Sequence, residues 1–178
     1  MVNQSRAFIL GRNWLMIAVV LFSLGSLPAA IKSPRLLARI ARETPQPRPV
    51  QAGAQLKAAE QDAATINGAR ALWGVGQSML PLFGPDTAVV VQPVAYDAIR
   101  RGMTVVYVKS DGRVVAHSVI GEDRKGYIVQ GLNNDEADAE SVNEGNLLGV
   151  VVAAYAPSRR HTSAISGFPT PPANPPAP

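Results

Sequence analysis

The sequence predicts a mainly β domain over residues 74–156, preceded by a membrane-spanning helix and an amphipathic helix. Three observations carry this reading. Five runs between Thr87 and Tyr155 are rich in Val, Ile and Tyr, residues that suit a pleated, half-buried surface. From Asn13 to Ile31 there is no charged residue. Finally, Leu56, Ala59, Ala63, Ile66, Ala69 and Trp73 recur at spacings of three and four, the period of one helix face.

In chain order, residues 1–31 read as an N-terminal membrane anchor or signal segment. A helix over Asn13–Ile31 would reach roughly 28 Å, enough for the hydrocarbon core of a bilayer. The run exceeds the usual apolar region of a signal peptide, which favours an uncleaved anchor, while Leu27-Pro28-Ala29-Ala30 keeps a cleaved signal peptide as the competing reading. Residues 32–53 form a basic juxtamembrane stem and a Pro-rich linker. Lys32–Arg42 reads as a short helix with Arg35, Arg39 and Arg42 on one face and Leu36, Leu37 and Ile40 on the other. Such a face suits anionic lipid headgroups, and a solvated charged turn is the alternative. Pro45, Pro47 and Pro49 then end any helix.

Residues 54–73 form the amphipathic helix, weakened at Asn67-Gly68. Strands follow at Thr87–Gln92, Thr104–Lys109, Arg113–Ile120, Tyr127–Gln130 and Leu147–Tyr155, with one helical turn at Tyr96–Arg101. Asp111-Gly112 reads as a two-residue hairpin loop. Residues 157–178 carry seven of the fifteen prolines and read as a disordered tail, its partner unknown.

Charge narrows the function classes. The net +4 divides into +6 over residues 1–50, −4 over residues 51–156 and +2 over residues 157–178. The β region is acidic and lacks the clustered cations of a phosphate-binding groove, so no nucleic-acid partner is expected. Basic flanks point to membrane lipid instead. With no cysteine and two histidines, thiolate chemistry and most histidine metal sites are excluded, and neither cofactor nor metal is expected.

The chemistry centres on Ser78, in Gly76-Gln77-Ser78-Met79-Leu80-Pro81 at the start of the β region. A serine hydroxyl needs a base to take its proton. His161 lies in the tail, which leaves His117 in a predicted strand, with Lys109 as the other candidate. A two-residue turn at Asp111-Gly112 pairs Lys109 with Val114 and Val106 with His117, so Lys109 and His117 face opposite sides of the sheet. His117 is the better base.

Further stretches follow in order: Gly102-Met103-Thr104-Val105-Val106-Tyr107, Val115-Ala116-His117-Ser118-Val119-Ile120, Gly131-Leu132-Asn133-Asn134 and Leu148-Gly149. With the Ser78 motif, the set resembles the type I signal peptidase superfamily over about residues 74–156, in the Ser/His form of the archaeal and endoplasmic-reticulum branch. The resemblance implies a compact β peptidase fold, Ser78 as nucleophile, His117 as general base and acid, and the Ser78 backbone N–H in the oxyanion hole. It further implies that Gln77, Met79 and Pro81 contact substrate, and that the substrate is a precursor polypeptide cut beside small residues.

Several positions depart from the family pattern. Leu132 and Met103 stand where family acids are common, Ser118 replaces an arginine, and Pro81-Leu82-Phe83 replaces Pro-Thr-Leu. Leu132 cannot orient an imidazolium, so Asp138 takes that role in this reading, with Asp135 the weaker candidate. The expected function is a membrane-anchored serine endopeptidase on the extracytoplasmic face, although the cations from Lys32 to Arg48 favour the opposite orientation in a simple count. A membrane-tethered, non-catalytic binding module with a degenerate peptidase fold is the alternative, motivated by Leu132 and Met103. A self-cleaving repressor ranks third, since residues 1–73 show a membrane-like run where a DNA-binding segment would be.

Overall fold

Apolar runs unbroken by charge can be buried on both faces of a sheet, and two such runs lie side by side within it. Ala88–Gln92 and Leu147–Pro157 pair antiparallel and are buried along most of their length. The structure, a computed structural model, describes residues 33–158. Its elements in chain order are α1 (Pro34–Glu43), β1 (Arg48–Val50), α2 (Gln55–Ala63), β2 (Arg70–Trp73), β3 (Ala88–Gln92), a 3-10 turn (Tyr96–Ala98), β4 (Thr104–Val108), β5 (Val114–Asp123), β6 (Gly126–Gln130) and β7 (Leu147–Pro157). The domain is mainly β: one seven-stranded sheet in the order β2-β3-β7-β4-β5-β6, antiparallel along that path, with β1 parallel to β7.

The five expected strands are present with ends shifted by no more than three residues. The helix expected over 54–73 is shorter. It stops at Ala63, the chain turns through Gly68 at a φ of +72°, and Arg70–Trp73 becomes strand β2 against β3. The apolar stripe is real, but Ala59 and Ala63 bury on Ala88, Val90 and Ala153, while Leu72 joins the core through the sheet. The Pro-rich linker is also part of the fold, because Arg48–Val50 hydrogen-bonds along the end of β7. Pro49 suits such an edge position, where no ladder donor is needed.

The basic helix α1 forms, and its apolar face is used within the domain. Leu36 and Ile40 are buried against Ile120, with Ile128, Leu132 and Ala137 packed around them. Thr44, just past the helix, donates to the Gly102 carbonyl at 3.0 Å and pairs with Thr104 Oγ1 at 3.0 Å. Gly102 has a φ of +99°, and a Cβ there would lie 2.7 Å from Arg39 Cγ, so helix and turn meet where only glycine fits. Leu132 packs in this cluster and also against the core around Met79 and Phe83. An apolar residue at position 132 is thus what a docked helix requires.

The expected anchor, residues 1–31, lies outside the described residues, as does the tail beyond Ser158. No described helix is long and apolar enough to cross a membrane.

Docking of α1 makes a measurable difference between two neighbouring apolar residues. Ile40→Ala should lower unfolding stability in a urea titration by about 2–4 kcal/mol, whereas Leu37→Ala, at a 43% exposed position, should change it by less than about 0.5 kcal/mol. Equal effects would contradict the packing.

Candidate active site

Three segments that are distant in sequence supply the site. Ser78 follows β2 in two overlapping turns, in which the Leu82 and Phe83 N–H groups both donate to the Met79 carbonyl at 2.9 Å. The Ser78 loop therefore leaves a strand, not the helix end expected from the sequence. Met79 is buried in the core with Phe83, Val89, Val91 and Val106, which anchors the turn from below. The expected substrate contact at Met79 is corrected accordingly: its side chain is core. Gln77 and Pro81 are exposed on either side of it.

Ser78 is tied to the β6–β7 loop by its own backbone, since the Asn133 N–H donates to its carbonyl at 2.7 Å. Gly131 lies directly against the pair. A Cβ there would come within 2.7 Å of the Ser78 carbonyl oxygen and 2.9 Å of His117 Nε2. The glycine allows loop, serine and histidine to approach this closely.

His117 lies in β5 and is buried. Its Nε2 is 2.9 Å from Ser78 Oγ, and its Nδ1 is 3.0 Å from Asp138 Oδ2. The three sequence candidates Ser78, His117 and Asp138 are therefore brought together in series. Asp138 is fixed by its backbone N–H, which donates to the Val129 carbonyl at 2.9 Å.

Two further side chains reach the same carboxylate oxygen. The Tyr107 hydroxyl donates to Asp138 Oδ2, and Lys109 Nζ is 3.6 Å from it. The two-residue turn expected at Asp111-Gly112 placed Lys109 on the other face of the sheet, and the structure overturns this. The loop has three residues: the Lys109 N–H donates to the Arg113 carbonyl at 2.9 Å, and Gly112 takes a φ of +83°. Register moves by one, so Val105 pairs with His117, and Tyr107 and Lys109 follow on the His117 face. Asp-Gly fits both loop lengths, so the motif alone did not decide between them. Ser110 adds a clamp, donating from its N–H and its hydroxyl to the two Glu140 oxygens, each at 2.8 Å.

Burial alone would push the Asp138 carboxyl up. Hydrogen bonds from His117 and Tyr107, helped by the His117 and Lys109 charges, outweigh burial and hold it below the ordinary carboxylate value. Asp138 is thus an ionised acceptor at neutral pH. Burial first, and the bond to Asp138 second, push the Tyr107 hydroxyl far above its ordinary value, so it stays a donor. The arrangement is that of a base bonded to a hydroxyl on one side and to an orienting acid on the other, the geometry of serine acyl transfer. Among the described residues, no His, Cys, Asp and Glu cluster forms a metal site.

Compared with known proteins, the sequence matches no family model and no curated protein.

All four tyrosines, Tyr96, Tyr107, Tyr127 and Tyr155, are held above their ordinary value of 10.0, first by burial. A group raised in the folded state contributes stability that is complete below its unfolded value and lost as pH rises through the folded one. Tyrosinate absorbance should therefore stay low as pH passes the ordinary tyrosine value, and Tyr107 should ionise only as near-UV dichroism is lost. Full ionisation of the tyrosines in a protein with intact dichroism would contradict the burial of Tyr107.

Proposed function

We propose that the chain is a membrane-anchored serine endopeptidase of the signal-peptidase type, with Ser78 as nucleophile, His117 as base and Asp138 as its orienting acid. The single observation that carries the reading is the continuous line from Ser78 Oγ through both ring nitrogens of His117 to Asp138, with bonds of 2.9 and 3.0 Å.

In this mechanism His117 Nε2 takes the hydroxyl proton as Ser78 Oγ attacks the scissile carbonyl. The imidazolium is stabilised by Asp138 through Nδ1, and the oxyanion by the Ser78 backbone N–H. Collapse of the tetrahedral intermediate breaks the C–N bond, and His117 returns the proton to the leaving amine. A water, deprotonated by His117, then hydrolyses the acyl-enzyme and regenerates the Ser78 hydroxyl.

An extended precursor segment fits the surroundings. Strand β2 ends the sheet and runs directly into the nucleophile loop. A peptide added along that edge gains main-chain hydrogen bonds and is led towards Ser78, past the exposed Trp73 and Val75. The precursor is exported or membrane-bound, since the uncharged run Asn13–Ile31 tethers the enzyme to the bilayer. The domain acts on the extracytoplasmic face. Of the cations that oppose this orientation in a simple count, Arg35, Arg39, Arg42 and Arg48 belong to α1 and β1 of the folded domain.

Purified full-length protein in detergent, incubated with candidate precursors, should cleave one of them, and Ser78→Ala should slow that cleavage by more than about a thousandfold. Equal cleavage by both proteins would overturn the assignment. The wild-type rate should also fall on acidification, because His117 must be neutral to accept the proton. A rate that climbs far into the alkaline range would point to a lysine base instead.

A further inference from the structure

The line from Ser78 to Asp138 does not end at the carboxylate. Oδ2 of Asp138 faces three groups: His117 Nδ1 at 3.0 Å, the Tyr107 hydroxyl, and Lys109 Nζ at 3.6 Å. All three come from the β4–β5 hairpin, and Tyr107 is fully buried. The side chains of Asp138 and Lys109 are 6% and 19% exposed, so water screens the group poorly. Where water screens poorly, a carboxylate beside an imidazole favours the charged ring as a general rule. A protonated ring cannot take the Ser78 proton.

We propose that Tyr107 and Lys109 are positioning residues that divide the charge of Asp138, weakening its pull on the His117 imidazole. Tyr107 draws on the lone pairs of Oδ2 through its hydrogen bond. Lys109 brings a positive charge that offsets the carboxylate as seen from the ring. Ser110, clamped to Glu140, fixes the hairpin tip so that Lys109 stays in reach of Asp138. The inference rests on the reading of Ser78 and His117 given above.

Arg113 and Glu140 act on Tyr107 at longer range and with opposite sign, and Arg113 is bonded to Asp111. On its other nitrogen His117 faces the Ser78 hydroxyl at 2.9 Å.

The test reads His117 directly and needs no substrate. In full-length protein carrying His161→Gln, His117 is the sole histidine, and its imidazole can be titrated by NMR in detergent micelles. Tyr107→Phe removes one hydroxyl and keeps the ring, and Lys109→Met removes the charge. Each should raise the His117 midpoint by about one pH unit, while Lys109→Arg should leave it near that of the parent. An unchanged midpoint in both Tyr107→Phe and Lys109→Met would overturn the proposal. A lowered midpoint would overturn it too, because it would mean that these residues merely hold Asp138 against the ring. Loss of Ser78 reactivity in the parent protein would instead count against the peptidase reading and leave the titration result standing.

Discussion

The register of the β4–β5 hairpin is the constraint on which the site depends. Side chains alternate along a strand, so a slip of one residue sends every side chain to the opposite face. The three-residue loop ending at Gly112 sets Val105 against His117, and Tyr107 and Lys109 follow on the same side. Three groups then meet at one carboxylate. A two-residue loop would have aimed Lys109 away from the histidine and dispersed the cluster.

The remaining members are held by fixing otherwise irregular chain to this hairpin. Asp138 lies outside regular structure, yet its N–H is bonded to β6, and Glu140 two residues later grips Ser110 at the hairpin tip. The same loop reaches Ser78 through Asn133, and Gly131 lets the two backbones close on His117. Buried backbone groups must find partners, and here those partners also set the spacing of the chemistry. Helix α1 closes the far side of this loop by packing Leu36 and Ile40 near Leu132 and Ala137.

Much of this was legible before the structure. The strands were readable because their branched apolar runs are long and bounded by turn residues. Ser78 stood out by the motif around it, and His117 because few bases exist in the chain. The fate of residues 54–73 was not readable. A stripe of period near 3.6 continues through Trp73, but the helix ends at Ala63, the chain turns through Gly68, and the last four residues pair as a strand. Local pattern does not report such a change when small residues serve both elements. For α1 the apolar face was visible but not what it covers, since burial against Ile120 is a long-range contact. Asp138 was one of several neighbouring acids in the sequence, and only tertiary packing singles it out. Tyr107 and Lys109 escaped notice as partners of Asp138 because the length of a turn, which Asp-Gly leaves open, decides their face.

Leu132 was the strongest sequence argument for a degenerate site. In the fold it joins two apolar clusters, while the carboxylate bonded to His117 belongs to Asp138, six positions later. The account therefore stands or falls on whether Ser78 is activated. Treating the full-length protein in detergent with a phosphonate probe and mapping the adduct by mass spectrometry decides this directly. The account predicts one adduct, on Ser78, formed far more slowly in His117→Ala. An unmodified Ser78, or labelling of Ser78 at the same rate without His117, would contradict it.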